Sequence, residues 1–153
     1  MSNPRVGDII EIKTGRGLAY AQFTHQHETF GSLIRAIEGF RGSRPDDIAA
    51  VARGHTRFVT FFPLRAAVKR GIVTIVGRAD VPAAARVFPV FKDGVADPRT
   101  KVVSQWWLWD GEKEWRVGSL TPEQRKLPHR AVWNDTMLVD RLESDWSPED
   151  TDW

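Results

Sequence analysis

Three of the four residues from 106 to 109 are tryptophan, in the run Gln105-Trp106-Trp107-Leu108-Trp109-Asp110-Gly111. Successive residues of a strand point to opposite faces, so Trp107 and Trp109 share one side and Trp106 and Leu108 the other. Both sides are apolar. Such a strand must be covered on both faces, by its own domain or by a partner. Asp110-Gly111 is a hairpin-turn pair, and Glu112 to Val117 reads as the returning strand. No catalytic motif accompanies the run.

With 153 residues the chain is long enough to bury a core without covalent staples. The expectation is one globular domain over residues 1–145 and an acidic C-terminal tail over 146–153, which Trp146 or Trp153 could pin. The absence of cysteine excludes a disulfide framework and a thiol nucleophile, and removes the commonest ligands of structural zinc. A cytoplasmic protein fits best, since the opening residues lack a signal-peptide pattern and no apolar run approaches ~18 residues. Charge is unevenly spread: residues 1–101 carry 16 Lys and Arg against 9 acids, and residues 102–153 carry 6 against 11. The two parts either present surfaces of opposite sign or lie together and cancel.

Ile10 and Ile12 alternate with Glu11 and Lys13 in a half-buried strand, Thr14-Gly15-Arg16-Gly17 turns it, and Leu18 to Phe23 returns. Gly31 to Glu38 reads as a third strand, although Leu33 to Ile37 could also begin a helix. Ser43 to Asp47 opens a short helix ending at Gly54, Arg57 to Phe62 is a strand, Pro63 to Gly71 a second helix, and Ile72 to Gly77 a further strand. The proline-containing stretch from Asp80 to Thr100 is expected to be irregular, with Val87 to Phe91 at most an edge strand. Thr121 and Asn134 each suit the start of a later helix. The fold expected is α+β: a strongly bent antiparallel sheet, tending to a barrel, covered by three or four short helices.

Several constellations could carry chemistry. His25-Gln26-His27 places two imidazoles on one face of a continuing strand, but with no third ligand at a recognisable spacing they do not specify a metal. No catalytic residue, cofactor or metal is therefore assigned. Arg35, Arg41, Arg44, Arg53, Arg57, Arg65, Lys69 and Arg70 are interspersed with Phe30, Phe40, Phe58 and Phe62, the mixture that stacks single-stranded nucleic acid. The phenylalanines have a simpler use in a core, and the cations do not form one stripe. Seven tryptophans exceed what one small core requires, and tryptophan is enriched at interface hot spots.

The order of segments resembles the immunity protein 26 family of bacterial polymorphic-toxin systems. The resemblance spans residues 5–142 and rests on Val6-Gly7-Asp8-Ile9-Ile10-Glu11-Ile12 to Tyr20-Ala21-Gln22-Phe23, Phe61-Phe62-Pro63-Leu64 to Val68-Lys69-Arg70-Gly71, Ile75-Val76-Gly77, Pro89-Val90-Phe91 and Trp107-Leu108-Trp109-Asp110-Gly111. It implies a cytoplasmic, β-rich, non-enzymatic protein that binds and neutralises a cognate toxin; no membrane partner is expected, since no apolar run is long enough to span one. The family supplies no contact residues to carry over.

The alternative is a small β-barrel endoribonuclease of toxin-antitoxin modules, to which the Val6-Gly7-Asp8 opening is also similar; Arg16 and Thr24 would then be tested for RNA cleavage. On the immunity reading, the Trp-Leu-Trp-Asp-Gly match makes Trp107 and Trp109 scaffold. Recognition then falls to Trp106 and Trp133, expected to be exposed near acidic residues. The sequence fixes neither the sign of the binding surface nor the oligomeric state.

Overall fold

The computed structural model describes residues 3–150. Its elements are β1 (Asp8–Thr14), β2 (Gly17–His27), β3 (Gly31–Arg41), α1 (Ile48–Val51), β4 (Thr56–Phe62), α2 (Leu64–Lys69), β5 (Thr74–Arg78), α3 (Ala83–Arg86), β6 (Phe91–Asp93), β7 (Trp106–Trp109), β8 (Glu114–Gly118), α4 (Pro122–Arg125) and α5 (Asp135–Glu143). They form two compact units. The first runs to Val87 and resumes for Val132–Asp145; the second is Phe88–Ala131 together with the segment from Trp146.

The fold is α+β and mostly sheet, but among the described residues there are two antiparallel sheets, ordered β4-β3-β2-β1-β5 and β6-β7-β8. The expected tendency to a barrel is not realised, because β4 and β5 remain as edges instead of pairing with each other. Among the described residues there are five short helices where three or four were expected. The additional one is α3, formed by Ala83-Ala84-Ala85-Arg86 directly after Pro82, inside the stretch expected to be irregular.

In the first unit Gly17 permits the β1–β2 turn at a φ of +122°. The register Ile10↔Ala21↔Ala36↔Phe58 then lays small residues between large ones across four strands. On the other face Ile9, Tyr20 and Ile37 pack with Val51 and Ala52 at the end of α1. Both faces of β1 are therefore covered, and Glu11, expected on a wet face, is buried. Its carboxylate accepts from the Tyr20 hydroxyl (2.8 Å) and from Arg44 Nε and Nη2 (2.9 and 3.0 Å). The Arg44 hydrogen bonds hold Glu11 below the usual carboxylate range, against the opposing push of burial, while burial and Glu11 together raise Tyr20 to about 12.

The same face carries a buried cation. Arg35 is 1% exposed and has no carboxylate among its hydrogen-bond partners: Nε donates to Gln22 Oε1 (3.0 Å), Nη1 to Gly54 O and Thr56 Oγ1 (3.2 and 3.0 Å), and Nη2 to Ala52 O (2.5 Å). The planar fork ties the loop after α1 to the strands. Arg57 does similar work for α5, donating to the carbonyls of Arg141, Leu142 and Ser144 at the helix C-terminus, where orphan carbonyls and the helix dipole favour a cation. Glu143 of α5 in turn accepts from the Gly15 amide. In this unit the acidic C-terminal segment thus lies against the basic N-terminal strands, and part of the charge asymmetry of the sequence cancels locally.

Candidate partner-docking surface

The second unit is built on β7. Phe91 pairs with Trp109, Lys92 with Leu108 and Asp93 with Trp107, while across β8 Trp107 faces Arg116, Leu108 faces Trp115 and Trp109 faces Glu114. The outer edge of β6 is covered by residues 128–130, since Lys92 N donates to Pro128 O and Arg130 N to Lys92 O (both 2.9 Å). No strand of the described residues covers the outer edge of β8. Arg116, exposed, stands on that edge strand, while the exposed Glu114 carboxylate accepts from Arg130 Nη1 (3.2 Å).

The hairpin loop is longer than the Asp-Gly pair suggested. Four residues, Asp110 to Lys113, lie between the paired Trp109 and Glu114. Asp110 Oδ1 accepts from the amides of Lys113 (2.8 Å) and Glu112 (3.0 Å), which draws its pKa below the ordinary carboxylate value. Gly111 takes a φ of +101°, and a Cβ there would come within 2.8 Å of the Phe88 ring. Asp110 and Gly111 are thus fixed by a side-chain cap and a close ring rather than by a two-residue turn.

The assignment of the two faces of β7 is corrected. Trp106 is 3% exposed, with its ring 5.8 Å from Lys92 Nζ and edge-on to His129 at 6.3 Å, so it is not an open recognition residue. Gly94 closes over it, since a Cβ there would meet the Trp106 ring at 3.1 Å. Trp109 is buried against Phe88, Phe91 and the Arg130 guanidinium. Trp107, expected in the scaffold with it, is 38% exposed, and Trp115 on β8 is 40% exposed. Because Trp107 shares a face with Arg116 and Trp115 shares the other with Leu108, the exposed rings lie on opposite faces of the ribbon, Trp115 on the open-edge strand and Trp107 on the central one.

Trp133 is half-buried and packs on Phe58 at 5.4 Å, while its amide donates to Phe61 O (3.0 Å) as residues 132–133 run alongside β4. Trp153 lies outside the described residues. Trp146 belongs to the segment that returns to the second unit, where a 3-10 turn at Pro148–Asp150 follows and Lys92 Nζ donates to Pro148 O (2.8 Å) and Arg125 O (2.7 Å). The tail is therefore held as far as Asp150.

His25 and His27 are used locally. His27 Nδ1 accepts from the amides of Thr29 and Phe30 in the β2–β3 turn (3.1 and 3.3 Å), and His25 Nε2 donates to Arg86 O (2.8 Å). Among the described residues no group of three or more His, Cys, Asp and Glu side chains is placed to hold a metal. The basic positions divide. Arg35, Arg44 and Arg57 make the structural bonds described above, and Phe58 and Phe62 are buried, whereas Arg41, Arg53, Arg65, Lys69 and Arg70 are exposed. Arg16 stacks on Phe40 at 4.7 Å and donates to Glu143 O, and the Thr24 hydroxyl donates to Leu33 O.

No helix of the described residues is long and apolar enough to cross a membrane. Comparison with family models, curated proteins and solved structures gives no match to this chain.

Proposed function

We propose that this protein is a cytoplasmic immunity protein that binds a bacterial toxin domain and neutralises it by occlusion, without catalysis. The observation that carries the reading is the pair Trp107 and Trp115, each more than one-third exposed on the two faces of a ribbon whose β8 edge has no strand partner among the described residues. Partly exposed tryptophans flanked by charge have the composition of an interface hot spot, because each offers a large apolar area at low entropic cost. A toxin segment adding to β8 would take backbone hydrogen bonds from the edge and meet Trp115 directly, with Trp107 one strand further in. The exposed Arg116 would help set its register by charge. The resemblance of the succession of sequence blocks to the immunity protein 26 family supports this class of partner.

The test is binding of the purified protein to the toxin domain encoded beside it, with toxin activity measured in parallel. Stoichiometric binding that abolishes toxin activity supports the proposal. RNA cleavage by the protein alone, lost in R16A or T24A, would replace it with the endoribonuclease reading.

A further inference from the structure

In the first unit a groove of about 790 Å³ opens beside β1, β2 and β5, bounded by Gly7, Thr24, His25, Arg78, Asp80 and Arg86. A strand irregularity shapes it. The β2–β3 register shifts between Phe23 and His25 and leaves Thr24, which lines the groove, as an extra residue. Bulges interrupt the ladder and re-aim side chains, and they concentrate next to functional sites.

The floor is rigid. Gly7, at a φ of +102°, donates its amide to Phe23 O (2.8 Å) and accepts from Ala79 N (3.1 Å); a Cβ on it would lie 2.9 Å from Ala79 O. Beneath, the fully buried Gln22 donates Nε2 to Ala79 O (2.9 Å), and Arg35 Nε fixes which end of that amide is the donor.

The rim carries two guanidinium groups. Arg78, half-exposed, donates Nη2 to Val6 O (2.8 Å) and lies 3.8 Å from the Asp8 carboxylate; Arg86, exposed, donates Nε to Val81 O (2.8 Å). A guanidinium has five N–H donors, so one firm bond to a backbone carbonyl orients each fork and leaves others for a ligand. His25 adds a bond from Nε2 to Arg86 O, which holds the end of α3 in place. Planar forks match the oxygens of phosphates and carboxylates, where charge-assisted hydrogen bonds are strongest. Asp80, exposed on the same groove, opposes a long polyanion more than a single anionic group, because repulsion grows with each added charge.

We infer that this groove binds a compact ligand through one phosphate or carboxylate group held by Arg78 and Arg86, a site distinct from the aromatic ribbon and independent of the toxin reading. The test titrates the full chain with sodium phosphate and, separately, sodium acetate at constant ionic strength, following backbone amide and arginine Nε signals by NMR. Saturable shifts at Gly7, Ala79, Arg78 and Arg86 are expected with at least one anion, and the one that saturates identifies the chemistry. R86Q should weaken that affinity about tenfold, the loss of one charge-assisted bond, and D80N should strengthen it. R70Q, outside the groove, should leave it unchanged. Shifts that never saturate with either anion overturn the inference, as does a saturable response that R86Q and D80N both leave untouched. D80N removes no bond that supports the fold and keeps the test decisive even if R86Q unfolds. Tighter binding of a single-stranded RNA oligomer than of either small anion would overturn the compact ligand.

Discussion

In the first unit a guanidinium lies buried under the sheet and bonds to Gln22, Thr56 and two loop carbonyls; in the second an ammonium, Lys92, is buried over the Trp106 ring and bonds to the carbonyls of Arg125 and Pro148. Both units use a cation to fix irregular backbone that no ladder could hold. They differ in what remains outside. Five strands with helices cover both faces of β1, and among the described residues the large hydrophobics the first unit leaves exposed are aliphatic: Val6, Ile72, Val87, Val132 and Met137. Three short strands leave one ring of the Trp-Trp-Leu-Trp run, Trp107, partly exposed on the central strand, and Trp115 joins it on the open-edge strand β8. The larger sheet thus offers a firm scaffold and the smaller one an adhesive surface.

The largest expected loss is at Arg35. R35L leaves Gln22 Oε1, Thr56 and two carbonyls without their donor and should cost about 3 kcal/mol, read by urea unfolding. R35K, which keeps the charge but loses the fork, should fall between. A loss below ~1 kcal/mol would show that the fork is not what holds the loop after α1. K92M should cost about 2 kcal/mol and, more specifically, speed amide exchange at Ser147 to Asp150 while β1–β3 stay protected. Uniform exchange across both units would contradict the tail-holding role.

The Glu11 network sharpens the comparison through pH. Its folded pKa lies below the ordinary value of 4.5, so its stabilisation is complete above that pH and is lost as pH falls through the lower folded value. Tyr20 has the opposite sign: raised from 10 to about 12, it contributes fully below pH 10 and its contribution is lost as pH climbs through 12. E11Q should flatten the acid limb of the stability curve and Y20F the alkaline limb. Parallel curves for wild type and variants would remove this network from the account. The smallest stability change belongs to W107A and W115A, each within about 1 kcal/mol, because much of either ring is already wet.

Local signals in the sequence carried well into the structure. Asn134 caps α5 through Met137 N, Thr121 forms a full capping box with Gln124, and the Gly17 turn sits where its glycines place it. What stayed hidden depends on long-range neighbours. Alternation cannot say which ring of an all-apolar strand is covered, so Trp106 and Trp107 exchanged roles: Gly94 and His129 close on Trp106, while on the other face Arg130 covers Trp109. Bulges at Thr24 and Val76 have no local mark, and the helix at Ala83 was obscured by the prolines around it. Arg35 looked like a surface cation because burial without a carboxylate partner is unusual for arginine, and only its distant carbonyl partners permit it.

The proposed function puts recognition of a toxin domain on the aromatic ribbon. The most direct measurement is the affinity for the toxin domain of the wild type and of the W107A W115A double variant, both confirmed folded by matching thermal melts. At hot-spot strength the double variant should bind at least about thirtyfold more weakly, ~2 kcal/mol, and lose protection against the toxin. Affinity and protection equal to wild type would contradict the claim and move recognition off β7 and β8.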